Sequence, residues 1–374
     1  MAFFSVKKYK CPYCLHEFTR AEAKMNRNSR GDAYYMCPND QLENDRPRCG
    51  KRLPLNFFSS DSSVISIVGG TGTGKTYFVM ALRRILDGGV LLNRLGISGT
   101  MYYPDLESEN YFEDLWQQII DGTRLNATQK NAGVERHALC LQVNISGYRT
   151  KTIYFSFFDN PGEGFNRDSY ILDNMNLHLS DAVIFLISPE QLPNILPKVN
   201  GQGLVQNATS LLTVLTNIEG VFNRDREIPQ KESLISGLTR GIRSLMPNKI
   251  PIPFAFCLSK CDLLSNVFPI IGKNVPRDLN RSDFQALGII TGSDVQKEKI
   301  KPIISDNSRS ILKTLDDNDE CNIENHLKNY SDCRMFAVQS VEVRSNNNGQ
   351  EVINLSPKGI SLLMYWILDK LKLM

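Results

Sequence analysis

Residues 64–76 read Val-Ile-Ser-Ile-Val-Gly-Gly-Thr-Gly-Thr-Gly-Lys-Thr. Val64–Val68 is apolar or serine throughout and reads as a buried strand, while Thr76–Leu86 (TYFVMALRRIL) places apolar residues at helical spacing. Between them stands G-x-x-x-x-G-K-[ST], met by Gly69, Gly74, Lys75 and Thr76. The chemistry explains the composition. Main-chain N–H groups of a loop running Gly69, Gly70, Thr71, Gly72, Thr73, Gly74 can wrap a β-phosphate only if side chains stay out of the way. The loop opens a helix, whose N-terminal N–H groups and dipole favour an anion. Lys75 is expected to reach the β- and γ-phosphates as a point charge, and the Thr76 hydroxyl to bind Mg²⁺. The strand before and the helix after separate this stretch from a chance glycine-rich turn.

Outward from the loop, apolar strands alternate with helical segments, the pattern of an α/β sheet. Strands are expected at Leu139–Ile145 and Lys151–Phe158, joined near Gly147 as a hairpin, then at Ala182–Ile187, Pro253–Leu258 and Met335–Val341. Helices are expected at 109–121, Ala208–Ile218 and Ile360–Leu371, with Trp366 packing the core. Residues 263–330 are polar and weakly periodic and read as an insertion, as does 90–138. No run of 18 apolar residues occurs, so no membrane span is expected.

Two further strand ends carry chemistry-bearing residues. Ile153–Phe158 is followed by Asp159-Asn160-Pro161-Gly162-Glu163, a D-x-x-G sequence. Phe256-Cys257-Leu258 is followed by Ser259-Lys260-Cys261-Asp262, close to [NT]-K-x-D. The ordered set of phosphate loop, D-x-x-G and S-K-x-D resembles the TRAFAC class of P-loop GTPases over roughly residues 64–372. Within it the chain is similar to the bacterial double-GTPase and TRAFAC-clade GTPase-like proteins. That resemblance implies an α/β fold with a mostly parallel sheet and helices on both faces. It implies GTP/GDP and Mg²⁺ as ligands and a switch role in a multi-protein bacterial defence system, with protein partners and nucleotide-dependent oligomers.

It also implies roles for residues. Asp159 would contact Mg²⁺ through water and the Gly162 N–H the γ-phosphate, releasing the following loop on hydrolysis. Asp262 would accept hydrogen bonds from guanine N1–H and N2–H₂, with the Lys260 stem packed on the ring. Ser259 stands where Asn or Thr is usual. Glu163 replaces the water-orienting Gln, and its charge would repel the γ-phosphate, so slow hydrolysis is expected. The first switch threonine is expected at Thr123, with Thr128 as the alternative. Arg124 is the candidate arginine finger in cis, with Arg167 competing. Two other readings stay open: a scaffold that binds nucleotide without turning it over, and an ATP-using P-loop protein.

The N-terminal region differs in texture. Cys11-Pro12-Tyr13-Cys14 is a C-P-x-C knuckle, followed after 22 intervening residues by Cys37 and, after eleven more, by Cys49. Four thiolates suit tetrahedral Zn²⁺, with His16 and Asp40 as fallback ligands. The absence of a signal-peptide pattern and the clustering of cysteines fit a reducing cytosol. The net charge of +3 is unevenly held: residues 1–52 carry 11 Lys/Arg against 6 Asp/Glu, so the basic character lies there. Nucleic-acid contact through this ribbon is therefore permitted, but a structural or protein-docking role is favoured. The expected organisation is a zinc ribbon over 1–55, a linker over 56–63 and a nucleotide-binding domain over 64–374.

Overall fold

The computed structural model describes residues 6–39, 49–59, 61–70, 72–87, 98–123, 125, 135–145, 149–159, 179–192, 195, 197, 215–216, 219, 249–265, 290–291, 294–295, 297–319, 323–345 and 351–372. The N-terminal module is a hairpin, β1 (Lys8–Lys10) and β2 (Glu17–Thr19), beside a three-stranded sheet of β3 (Met25–Arg27), β4 (Ala33–Met36) and β5 (Arg52–Leu53). Then follow β6 (Asp61–Gly69), β7 (Ser98–Tyr102), β8 (Glu135–Ile145), β9 (Arg149–Asp159), β10 (Ala182–Ile187) and β11 (Phe254–Leu258). A short pair, β12 (Ile290–Thr291) and β13 (Asp294–Val295), precedes β14 (Cys333–Ala337). A hairpin of β15 (Gln339–Ser345) and β16 (Glu351–Lys358) comes last.

The central sheet has seven strands in the order β14-β11-β10-β6-β9-β8-β7. From β14 to β9 every pairing is parallel, and β8 and β7 are added antiparallel at one edge. The strands read as they do for a reason. β10 (AVIFLI) and β11 (FAFCL) are buried at every position, as strands covered on both faces must be. β8 and β9 form the expected hairpin, paired from Glu135↔Asp159 to Ile145↔Arg149.

Helices cover both faces. α1 (Lys75–Leu86), α2 (Leu106–Ile120), α6 (Ile360–Lys370) and the start of α4 (Lys297–Asp319) contribute to one core, around Ile67, Leu141 and Ile184. The cysteine module, the end of α4 and α5 (Ile323–Leu327) contribute to the other, around Val68, Tyr154 and Phe256. α6 is buried continuously from Ile360 to Leu368, so it is a core helix rather than an amphipathic one. Trp366 sits in that core, 5.8 Å from the Phe336 ring. α2 starts at Asp105, whose side chain accepts from the Ser108 N–H (2.7 Å). The α/β class, the mostly parallel sheet and the small four-cysteine module are as expected.

Several elements differ in extent. The P-loop strand begins at Asp61 rather than Val64. The stretch expected as one strand at Met335–Val341 is two. β14 stays in the sheet, while β15 turns out of it at Val338 to pair with β16, a strand not expected at all. Of the helix expected at Ala208–Ile218, Leu215 and Thr216 are the described residues, and both are helical. Much of the expected insertion 263–330 is α4 and α5. None of the described helices is long and apolar enough to cross a membrane.

Candidate functional site

The site grows from the carboxyl ends of three adjacent parallel strands, β6, β10 and β11. β6 ends in Gly69, and the chain turns at once. A Cβ on Gly69 would stand 2.8 Å from Thr73 Oγ1 and 2.9 Å from the Leu186 carbonyl, so only glycine fits there. Gly72 and Gly74 take left-handed φ of 76° and 79°. Thr73 is buried and donates from Oγ1 to the Gly70 carbonyl at 2.8 Å, closing the loop. Lys75 is the first residue of α1 and is buried. Its Nζ donates to the carbonyls of Gly69 (2.7 Å) and Gly70 (3.4 Å). α1 has no side-chain cap and no acidic residue in its first turn, so that turn offers an anion uncontested N–H groups. Thr76, next along, is half-buried; Thr71 lies outside the described residues.

β11 ends in the S-K-C-D sequence. Ser259 is buried, and its hydroxyl lies within hydrogen-bonding distance of two carbonyls, Thr73 of the phosphate loop (2.8 Å) and Ile187 at the end of β10 (2.9 Å). Its N–H also donates to Ile187 (2.7 Å). One serine thus joins all three strand ends. Lys260 follows with a left-handed φ of 53°. Asp262 lies in the short helix α3 (Cys261–Ser265). Burial pushes its carboxyl above the usual range, against the opposing pull of Lys358 and Lys260. So Gly69, Gly70, Gly72, Thr73, Gly74, Lys75, Ser259, Lys260 and Asp262 share one edge of the sheet.

The turn after β10 was not singled out from sequence. Ser188-Pro189-Glu190-Gln191 forms one turn of 3₁₀ helix between the phosphate loop and the S-K-C-D loop. Gln191 Oε1 accepts from the Ser188 N–H at 3.0 Å, and Gln191 Nε2 would stand 3.3 Å from a Cβ on Gly70. Glu190 is buried and pairs with Lys260 Nζ. The only sequence signal was an acid in a tight turn after a wholly apolar strand.

The residues expected to form the switches are placed only in part. Asp159 is the last residue of β9, the strand beside β6. Thr123 is exposed just past α2, its N–H donating to the Gln118 carbonyl (2.9 Å). Leu125 N–H donates to the Tyr77 hydroxyl on α1 (3.0 Å), which brings the chain after α2 against the phosphate-loop helix. Arg124, Thr128, Gly162, Glu163 and Arg167 lie outside the described residues.

A second site lies in the N-terminal module. The sulfurs of Cys11, Cys14, Cys37 and Cys49 all lie within 4.8 Å of one another, and Cys11–Cys49 and Cys14–Cys37 are each 3.7 Å apart. Tetrahedral Zn²⁺ with bonds of about 2.3 Å requires sulfurs about 3.8 Å apart, so the set fits the ion. Asn39 Nδ2 points at Cys14 Sγ (3.7 Å) and the Tyr13 N–H at Cys11 Sγ (3.4 Å), contacts that would offset thiolate charge. His16 instead stacks on Phe18 (6.3 Å), and Asp40 lies outside the described residues. The knuckle is joined to the sheet. Ser156 Oγ of β9 donates to the Pro12 carbonyl, and Tyr13 Oη donates to Asp105. Lys7–Asp61 (2.8 Å), Lys10–Asp181 (2.8 Å) and Lys51–Glu107 (3.2 Å) add ion pairs across the same junction.

No family profile matches the chain, and no curated protein matches it. Among solved structures it is similar to the GTPase-like domain of Ski7 from S. cerevisiae bound to GTP, at 12% identity and a TM-score of 0.31, covering 84% of this chain and 51% of that one. The same domain bound to GDP and inorganic phosphate matches at 11% identity and a TM-score of 0.29, covering 75% and 43%. The chain thus spans about half the length of those structures.

Proposed function

We propose that the protein binds GTP with Mg²⁺ and hydrolyses it slowly, acting as a molecular switch. The observation that carries this reading is Ser259, whose hydroxyl bridges the phosphate loop and the end of β10 at the start of the S-K-C-D loop. A loop built for phosphate and a loop carrying a half-buried carboxylate, Asp262, are thereby held side by side at the sheet's carboxyl edge, where α/β folds bind ligands. Lys75 would exchange its two carbonyl partners for phosphate oxygens. Thr76 and Asp159 would hold Mg²⁺, which would neutralise phosphate charge, and Thr123 is the switch threonine of this reading. Asp262 would select guanine, because adenine lacks the paired donors at N1 and C2.

Glu163 supports slow turnover, since a carboxylate beside the γ-phosphate repels it, and Arg124 is the residue we assign to offset that charge. The assignment to a bacterial multi-protein defence system rests on the D-x-x-G-E sequence and the Trp366-bearing helix. The four cysteines are assigned to Zn²⁺. Equilibrium binding of GTP and ATP, with single-turnover hydrolysis, tests the whole. The reading expects GTP to bind at least tenfold more tightly than ATP, and a slow but measurable rate. Equal affinities would favour an ATP-using protein, and tight GTP binding with no turnover a scaffold.

A further inference from the structure

The Glu190–Lys260 pair carries two structural costs that packing alone does not repay. Lys260 holds a left-handed backbone, one of three non-glycine residues to do so among the described residues. Glu190 has a side chain with no exposed surface; one oxygen takes the Lys260 ammonium, and the other, Oε2, has no hydrogen-bond partner among the described residues. A buried carboxylate that is half satisfied is expensive, and removing its single cationic partner would cost far more than an exposed ion pair is worth. Lys260 is therefore pinned. The Lys260 side chain is 26% exposed and that of Glu190 is not exposed at all, so the outer end of the base loop is fixed from below by a group that solvent does not reach.

The location makes this more than local packing. Glu190 and Gln191 are neighbours in one turn, and Gln191 lies against Gly70 of the phosphate loop. The turn thus touches the phosphate loop on one side and the base loop on the other, on the strand that lies between them. We infer that Glu190 is the positioning residue for Lys260, orienting the lysine stem over the ring of a guanine that Asp262 holds and so contributing to GTP and GDP affinity. The inference rests on the guanine reading above, and it assigns Glu190 no contact with phosphate.

Calorimetric titration of GTP, GDP and ATP into wild type, Glu190→Gln, Lys260→Met and the double variant tests it. Glu190→Gln should weaken GTP and GDP about tenfold, the scale of one charge-assisted hydrogen bond, and leave ATP within twofold. Added to Lys260→Met, the same change should cost no further GTP affinity. In urea unfolding, Lys260→Met should be less stable than the double variant, because the single change strands a buried charge. Should Glu190→Gln fail to fold, Glu190→Asp, which keeps the charge and shortens its reach, carries the same binding expectation. Unchanged GTP binding in the Glu190 variants of a GTP-preferring wild type overturns this inference alone. An equal loss with and without Lys260 also overturns it. A wild type that binds ATP as tightly as GTP overturns the guanine reading instead.

Discussion

Lys75 and Asp262 stand at opposite ends of the site and differ in what they can discriminate. Lys75 is buried at the start of α1 and, in the proposed reading, would address phosphates, which GTP and ATP share. Lys75→Ala should therefore weaken both nucleotides about 100-fold, roughly 2.7 kcal/mol, with their ratio unchanged, as read by fluorescent-nucleotide competition. Asp262 would address the base. Burial raises its pKa in the folded protein, so the folded state holds that proton more tightly than the unfolded chain does. Its contribution to stability is present below the unfolded value and is lost as pH rises through the folded one. At neutral pH the ionised carboxylate is thus a cost, and Asp262→Asn should raise the urea midpoint at pH 7 while losing that gain in acid. Guanine selection runs the opposite way. It needs the carboxylate, so the preference for GTP over ATP should fade on acidification at a pH above the ordinary carboxylate value. Of these residues the phosphate loop was legible because its glycines and lysine are dictated by sterics and charge over eight consecutive positions. Glu190 was not, because its meaning lies in a lysine 70 positions away.

At the scale of elements, long apolar runs were the legible part. β10, β11 and α6 are covered on every side and need no partner to be recognised. The β15–β16 hairpin is illegible in the sequence because its pairing is antiparallel and outside the sheet: among its described residues Gln339, Ile353 and Leu355 are buried, and the alternation is diluted by Glu342, Arg344 and Asn354. α4 was read as a weakly periodic insertion for a similar reason. Its buried Ile300, Ile304, Ile311 and Leu315 are set among charges and interrupted by Pro302. The hairpin returns to the core through Gly359, at φ 76°, where a Cβ would stand 2.1 Å from the Ala337 carbonyl. Gly359→Ala should destabilise the fold by roughly 3 kcal/mol, combining backbone strain with overlap, and should lower the thermal midpoint without changing bound zinc.

At the scale of the molecule, the sequence divides by texture at about residue 55, but burial crosses that line. Cys11, Tyr13, Phe18 and Phe57 belong to the same core as Tyr154 and Val68. Phe57 lies 5.8 Å from the Tyr154 ring on β9. Composition marked the module; nothing in it marked the shared core, because Tyr and Phe serve a small independent core equally well. One zinc ion per chain and a single cooperative unfolding transition are expected, and chelation should lower the midpoint of that transition rather than abolish a separate early one. Two transitions in calorimetry would count against the shared core.

The bond from Ser156 to the Pro12 carbonyl places the metal knuckle on the strand that ends, three residues later, at Asp159. With Zn²⁺ on the cysteines and Mg²⁺ at Asp159, as proposed, any preference of one site for a particular position of β9 would be felt by the other, equally in both directions. Zinc release to a colorimetric chelator should slow in the presence of GTP and Mg²⁺, and Ser156→Ala should reduce that slowing. In the proposed reading, whatever loss of the metal costs nucleotide binding, loss of nucleotide would cost metal binding in equal measure.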